Sequence, residues 1–280
     1  MTRTDRYIRI DTGDGTYSLL DRELDEAMHS RSGAYDEALR KHVLPSRALE
    51  VPRATARVLD IGFGLGYNIL ALICERALRA PSLRLEIVTI ERDAEIFPHL
   101  ADVRFGDDRD AVYDNIRTLA NRGIADGPGY TAILRLGDAR QTIRHVDGAP
   151  FDAVFLDPYS PAKNPELWTV DFFLLLRALV SDEAIITTYS SAPQVREALC
   201  EAGFRVGPGP SVGGKREGTL ATVSGPIPKL TAEALELLRD DPRSTPYRDP
   251  GLHSTREMIR AGRRDEMRSR RAVKKDRQAP

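Results

Sequence analysis

The chain has 280 residues, 41% of them apolar and 30% charged, which suits one enlarged α/β domain, or one domain with appendages, around a real core. Its 41 Lys/Arg and 42 Asp/Glu leave a net charge of −1, so total charge argues neither for nor against a nucleic-acid partner. The two cysteines, Cys74 and Cys200, come without a C-x-x-C, an H-E-x-x-H or clustered histidines, so neither a metal site nor a disulfide framework is indicated.

Each cysteine falls in an apolar helical pattern and is expected as a buried, inert thiol. The opening M-T-R-T-D-R lacks the apolar core of a signal peptide, and no run approaches the ~18–20 apolar residues of a membrane span. A cytoplasmic protein without a membrane partner is the expectation.

In chain order, Tyr7 to Asp21 shows two alternating runs around D-T-G-D-G, a hairpin signal. A helix is expected from Leu24 to Val43. Gly33 weakens its interior; with His29 and Ser30 nearby it marks a break, a close ligand approach, or a surface turn between two helices. This N-terminal unit, 1–50, is expected to pack on a core spanning 51–225.

The core opens with V-L-D-I-G-F-G-L-G-Y-N, Val58 to Asn68, where a strand ends in Asp60 and glycines stand at 62, 64 and 66. A strand turning at once into a helix, with a ligand against its backbone, needs residues without a Cβ. Strand and helix signals then alternate as a doubly wound sheet requires. A helix runs to about Arg79 and strand two is Leu85 to Ile90, ending at Glu91. A helix over 110–121 and a glycine-rich connection through Gly123 and Gly129 lead to strand three, Thr131 to Leu136, closed by Gly137, Asp138 and Ala139. Strand four, F-D-A-V-F-L, ends at Asp157; strand five is Ala184 to Thr188, and two last strands are Phe204 to Val206 and Thr219 to Val223.

Beyond Pro226 lies an arginine- and lysine-rich extension, 226–280, which favours an RNA partner slightly. It holds a short helix from Thr231, a proline-rich connector, and a charged helix starting at Ser254, where S-T-R-E forms a capping box with Glu257. Having few apolar residues, that helix is expected exposed, docked at one end, or frayed.

In open α/β sheets ligands bind at the carboxyl ends of strands, and Asp60, Glu91, Asp138 and Asp157 all stand there. Spacing alone leaves a structural turn or a nicotinamide or flavin site open for the glycine loop. For each acid a helix cap or a solvated charge is the plain alternative. The G-x-G-x-G spacing behind an acid resembles motif I of class I S-adenosylmethionine methyltransferases. That resemblance implies a Rossmann-like seven-stranded sheet with an antiparallel last strand. It also implies S-adenosyl-L-methionine as cofactor, held by Asp60, Gly62, Phe63, Gly64, Gly66, Asn68, Glu91, Asp138 and Ala139. Methyl transfer from a sulfonium is an in-line displacement that needs a nucleophile lone pair and alignment but no metal.

The run F-L-D-P-Y-S-P-A-K-N-P-E-L-W, Phe155 to Trp168, resembles the signature of the methyltransferase part of the MnmC family. G-F-G-x-G-x-N, T-x-S-S-A, V-R-x-x-L-x-x-A-G-F, G-x-K-R-E and P-Y-R-D-P add further matches, so the likeness spans about Asp14 to Pro250. It implies N-methylation of the aminomethyl group of wobble 5-aminomethyl(-2-thio)uridine in tRNA, with Asp157 as the acid next to the amine. Tyr159 is a candidate substrate contact; Lys163 could touch phosphate or be structural, and Lys215 and Arg216 could face tRNA or be ordinary surface charge. Pro158 and Tyr159 replace the usual Gly-Phe, and Leu65 a common threonine. The family's flavin-dependent oxidoreductase half has no counterpart here, so a separate oxidoreductase or an upstream tRNA-modifying enzyme is an expected partner; oligomeric state is left open. An amino methyltransferase for another RNA or a protein, and a non-catalytic tRNA-binding protein of this fold, are the alternatives.

Overall fold

The computed structural model describes residues 6–212 and 217–277. Its centre is an eight-stranded sheet of β4 (Thr55–Ile61), β5 (Arg84–Glu91), β6 (Ile124–Gly127), β7 (Tyr130–Leu136), β8 (Phe151–Leu156), β9 (Val180–Thr188), β10 (Arg205–Pro208) and β11 (Thr219–Thr222). The spatial order is β10-β11-β9-β8-β4-β5-β7-β6. The five strands β9, β8, β4, β5 and β7 are parallel, and β11 runs antiparallel to β9, as the expected fold requires.

The parallel strands read as near-continuous apolar runs because both of their faces are covered. Alternate residues divide between two cores. Val58, Ile87 and Phe155 face α3 (Tyr67–Arg79) and α4 (Arg109–Arg122) through Leu70, Ile73, Ile116 and Leu119. Leu59, Ile90 and Val154 face α6 (Val170–Arg177) and α7 (Pro193–Glu201) through Phe172, Phe173, Val195 and Leu199.

An eighth strand, β6, lies where the sequence suggested only a glycine-rich connection. Gly123 ends α4 in a left-handed conformation, and β6 pairs antiparallel with β7 across the Pro128-Gly129 turn. Four residues with a single large apolar side chain, Ile124, between two turn signals hide a strand this short. The thiols also differ from expectation: Cys74 is half-buried and Cys200 is exposed.

The N-terminal hairpin is present as β1 (Tyr7–Asp11) and β2 (Tyr17–Asp21), extended by a two-residue β3 (Glu26–Ala27). The helix expected from Leu24 instead begins at Ala34, as α1 (Ala34–Ala38), a π-helical turn (Leu39–Val43) and α2 (Leu44–Ser46). Asp14 on the hairpin turn accepts hydrogen bonds from Tyr35 N and Asp36 N, both at 3.1 Å, and so caps the helix from a distance. A Cβ on Gly33 would lie 2.5 Å from that carboxylate, so the close approach at Gly33 belongs to Asp14.

At the other end, α8 (Ala232–Asp240) is capped by Thr231, and α9 (Arg256–Arg277) is capped by Thr255, whose Oγ1 accepts from Met258 N, rather than by Ser254. The Ser254 amide is taken by Asp249. α9 is docked: Ile259 is buried, Arg263 donates to Thr245 O at 2.6 Å, and Arg260 donates to Ala162 O. Among the described residues no helix is long and apolar enough to cross a membrane.

Candidate active site

Strand register aligns the ends that matter. Ile61 pairs with Leu156 and with Ile90, and Glu91 pairs with Leu136. The residues that follow therefore meet at one edge of the sheet, where a cavity of about 690 Å³ opens, a size suited to a small molecule. Gly62 has φ +100°, and a Cβ there would stand 2.7 Å from Asp157 O, so the glycine loop lies directly against the exit of β8. Gly66 starts α3 at φ +76°, where a Cβ would meet Ile116 Cγ2 at 2.5 Å.

Glu91 is buried beneath the cavity. Its Oε2 accepts from Gly64 N at 2.9 Å, and its Oε1 accepts from Arg92 N at 2.7 Å and Asp93 N at 2.8 Å. Burial raises this carboxyl, with the three backbone donors opposing. Asp138 caps α5 (Ala139–Thr142) through Arg140 N at 3.0 Å and pairs with the Arg140 guanidinium at 2.7 Å. Burial works to raise Asp138, but the Arg140 side chain and backbone outweigh it and hold the carboxyl below its ordinary value. Arg140 is anchored in turn by fully buried Asp249 at 2.8 Å, which gives the P-Y-R-D-P segment its place under the site.

Asp157 reaches the cavity from the end of β8. Its Oδ2 accepts from Asn68 Nδ2 at 3.1 Å, and the same amide donates to Asp60 Oδ1 at 3.2 Å. Asp60 Oδ2 accepts from Thr89 Oγ1 at 2.6 Å. One Asn68 amide thus bridges two carboxylates and fixes both. Burial, opposed by the Thr89 bond and helped by the Asp157 charge, pushes Asp60 up to about 7. His42 Nε2 stands 3.4 Å from Asp157 Oδ1.

Of the expected site residues, Gly62, Gly64, Glu91, Asp138, Ala139, Asp157 and Tyr159 line this cavity. Asp60, Phe63, Gly66 and Asn68 do not. Asp60 and Asn68 lie behind Asp157 as its support, Phe63 packs edge-on against Phe97, and Gly66 is spent on the helix start. Lys163 also stays outside, partly exposed and 3.9 Å from Asp25. Lys215 and Arg216 lie outside the described residues.

The segment after Asp157 is held at several points. Trp168 Nε1 donates to Tyr159 O at 2.9 Å, and Tyr189 OH donates to Pro158 O at 2.9 Å. Glu26 on β3 accepts from Ser160 N at 3.0 Å and from Ser160 Oγ at 2.6 Å. The Tyr159 hydroxyl is buried without a hydrogen-bond partner among the described residues, and burial raises it.

Glu23, Leu24, residues 26–29, Arg6 and Tyr7 complete the wall, so the N-terminal sheet covers the cavity. Tyr7 OH donates to Asp93 Oδ2 at 2.7 Å, tying this cover to the loop after β5. Sequence reasoning missed Glu26, Tyr189 and His42. Tyr189 follows β9 directly, so the strand-end rule that found the acids reaches it; a two-residue strand and a helical histidine carry no such signal.

The comparisons bear on the family and the fold. A family described as S-adenosyl-L-methionine-dependent methyltransferase matches residues 118–224. A solved structure, MnmC2 from Aquifex aeolicus, superposes with a TM-score of 0.85 at 33% identity, covering 94% of this chain and 85% of that one. An uncharacterised protein of Methanocaldococcus jannaschii is 31% identical over 260 residues, covering 91% of this chain and 71% of the relative. The tRNA 5-methylaminomethyl-2-thiouridine biosynthesis bifunctional protein MnmC of Azoarcus is 33% identical over 209 residues, 69% of this chain but 32% of its own length. The chain thus matches about a third of that bifunctional relative. It belongs to the MnmC-type family of S-adenosyl-L-methionine-dependent methyltransferases.

Proposed function

We propose that the chain methylates the primary amine of wobble 5-aminomethyl(-2-thio)uridine in tRNA, giving 5-methylaminomethyl-2-thiouridine. The observation that carries the reading is the sign of the cavity. Eight carboxylates line it against three arginines, with Asp157 beside Tyr159 and Tyr189. Such a wall suits two cations, a sulfonium cofactor and an ammonium substrate, and disfavours phosphate.

The residues fit S-adenosylmethionine. Both Glu91 oxygens are oriented by backbone N–H groups and line the cavity, which suits ribose hydroxyls. Asp138 offers an acceptor for the adenine amino group, and the backbone at Gly62 and Gly64 leaves room for the methionine part. When bound, the cofactor supplies a methyl group on a positively charged sulfur. The chain's work is on the amine, which arrives mostly protonated and then lacks a lone pair. Asp157 attracts the ammonium, takes a proton, and through the Asn68 bond keeps its carboxylate aimed.

The RNA itself needs a different surface. Arg256–Arg277 holds ten Lys/Arg against four Asp/Glu, and Arg264, Arg268 and Arg271 stand exposed at helical spacings of four and three. That places three cations on one outward stripe, suited to a phosphate backbone. The aminomethyl group has to be made by another activity, which the flavin-dependent oxidoreductase or an upstream tRNA-modifying enzyme would provide. Purified protein, cofactor and tRNA bearing 5-aminomethyl(-2-thio)uridine are expected to yield the methylaminomethyl nucleoside by mass spectrometry. Methylation only of another RNA or of protein replaces the substrate reading, and cofactor binding without any turnover replaces the enzymatic one.

A further inference from the structure

His42 lies in the π-helical turn, is 1% exposed, and does not line the cavity. Its Nδ1 is 2.9 Å from Thr187 Oγ1, and the Thr187 hydroxyl donates to Val154 O at 3.3 Å. With that hydrogen used, Thr187 accepts from His42, so Nδ1 carries the imidazole proton. The other nitrogen, Nε2, then turns a lone pair toward Asp157 Oδ1 at 3.4 Å and has no hydrogen-bond partner among the described residues. A bare nitrogen facing a carboxylate in a buried place is repulsive, and a proton between them removes the repulsion.

We infer that His42 and Asp157 act together as the base, holding between Nε2 and Oδ1 the proton taken from the substrate ammonium. The inference rests on the reading that the nucleophile is a primary amine. The pair starts as neutral imidazole and carboxylate. The substrate R–NH3⁺ gives up one proton, which comes to lie between the two groups, and R–NH2 keeps the lone pair. That pair forms the N–C bond to the methyl carbon while the C–S bond breaks and its electron pair leaves on sulfur as a neutral thioether. The product leaves as a secondary ammonium, and the shared proton returns to solvent through the cavity.

The groups around His42 allow this. On its own helix Lys41 is bound to Glu37 at 2.8 Å. β9 offers the neutral Thr187, with Tyr189 beyond it; β8 offers the Phe155 ring at 5.9 Å and then Asp157; and α3 offers the neutral Asn68, with Asp60 behind it. Asp157 is therefore the one carboxylate in direct reach of Nε2 among the described residues. His42 is a positioning residue, acting on substrate through Asp157.

The test compares pH profiles of single-turnover methyl transfer for wild type, His42→Asn and His42→Gln. The Asn amide retains the Thr187 contact but no nitrogen faces Asp157. The Gln amide would donate to Asp157 and make it a poorer base. Both variants are expected to bind S-adenosylmethionine as wild type does and to lose at least about tenfold in rate at neutral pH. Their rates should then climb with pH as more amine arrives neutral, while wild type stays level. A uniformly lower rate with the wild-type profile overturns the inference.

Nitrogen-15 histidine spectra of the wild-type protein without cofactor decide the matter even if the variants fold poorly. The Nδ1–H form is expected, with the Nε2 resonance moving in Asp157→Asn; an Nε2–H form with bare Nδ1 overturns it. If wild type methylates no aminomethyl-uridine, the substrate reading falls, while the spectra still rule on the pair.

Discussion

Asp157 owes its aim to the side chains around it. Asn68 donates to it and to Asp60, and Asp60 is held by Thr89. Glu91 is set in the same way, by three backbone donors. Replacing Glu91 by Ala should weaken S-adenosylmethionine binding by roughly 1 to 3 kcal/mol, since buried hydroxyls lose a charged acceptor and Gly64, Arg92 and Asp93 lose theirs. Calorimetry showing unchanged affinity would remove Glu91 from the cofactor site. Asp60 makes a separate prediction. Its carboxyl is raised from 3.8 to about 7, so over that window the folded chain holds a proton the unfolded chain has lost. Its contribution to stability is present below about pH 4 and is lost as pH rises to about 7. Asp60→Asn, which imitates the protonated form, should lack this loss, so its melting temperature gains on wild type between pH 5 and pH 8. Parallel curves for the two proteins would contradict the raised carboxyl.

Among the elements, α9 has a docked side and a free side. Arg256 pairs with Glu166 at 3.2 Å, Arg260 holds Ala162 O, and Arg270 reaches Glu201 on α7 at 3.4 Å, while Arg264, Arg268 and Arg271 face outward. Changing those three outward arginines to Gln should leave cofactor affinity intact and weaken tRNA binding. The log–log salt slope should become shallower by about 2 to 3. The same affinity and slope would make the stripe a solubility feature. The elements also mark where the sequence was readable. The glycine loop and the acids at the ends of β4, β5, β7 and β8 were legible because a strand end followed by a turn leaves a local pattern. β3, two residues long, was not, because its reason to exist is the Glu26–Ser160 clasp across 134 residues. Nor was the placement of His42, whose partner Thr187 lies 145 residues away. The start of α1 was misread for a related reason, since its cap, Asp14, sits on another element.

Taken whole, the molecule separates its charges. Arg256–Arg277 carries ten of the 41 Lys/Arg, so the near-zero net charge conceals a basic helix beside an acidic cavity. On the proposed reading, that separation gives a polyanion a place outside and two cations a place inside, each where Coulomb attraction favours it. The N-terminal sheet lies over the same cavity, where it would exclude water from the proposed amine substrate. The account turns on Asp157 receiving that amine's proton. Its most direct test is single-turnover methyl transfer to tRNA bearing 5-aminomethyl(-2-thio)uridine by Asp157→Asn, with S-adenosylmethionine affinity measured alongside. The rate should fall by roughly 10²-fold or more, cofactor binding should persist, and raising the pH should restore part of the rate. A variant that keeps near wild-type rates at neutral pH would contradict the account.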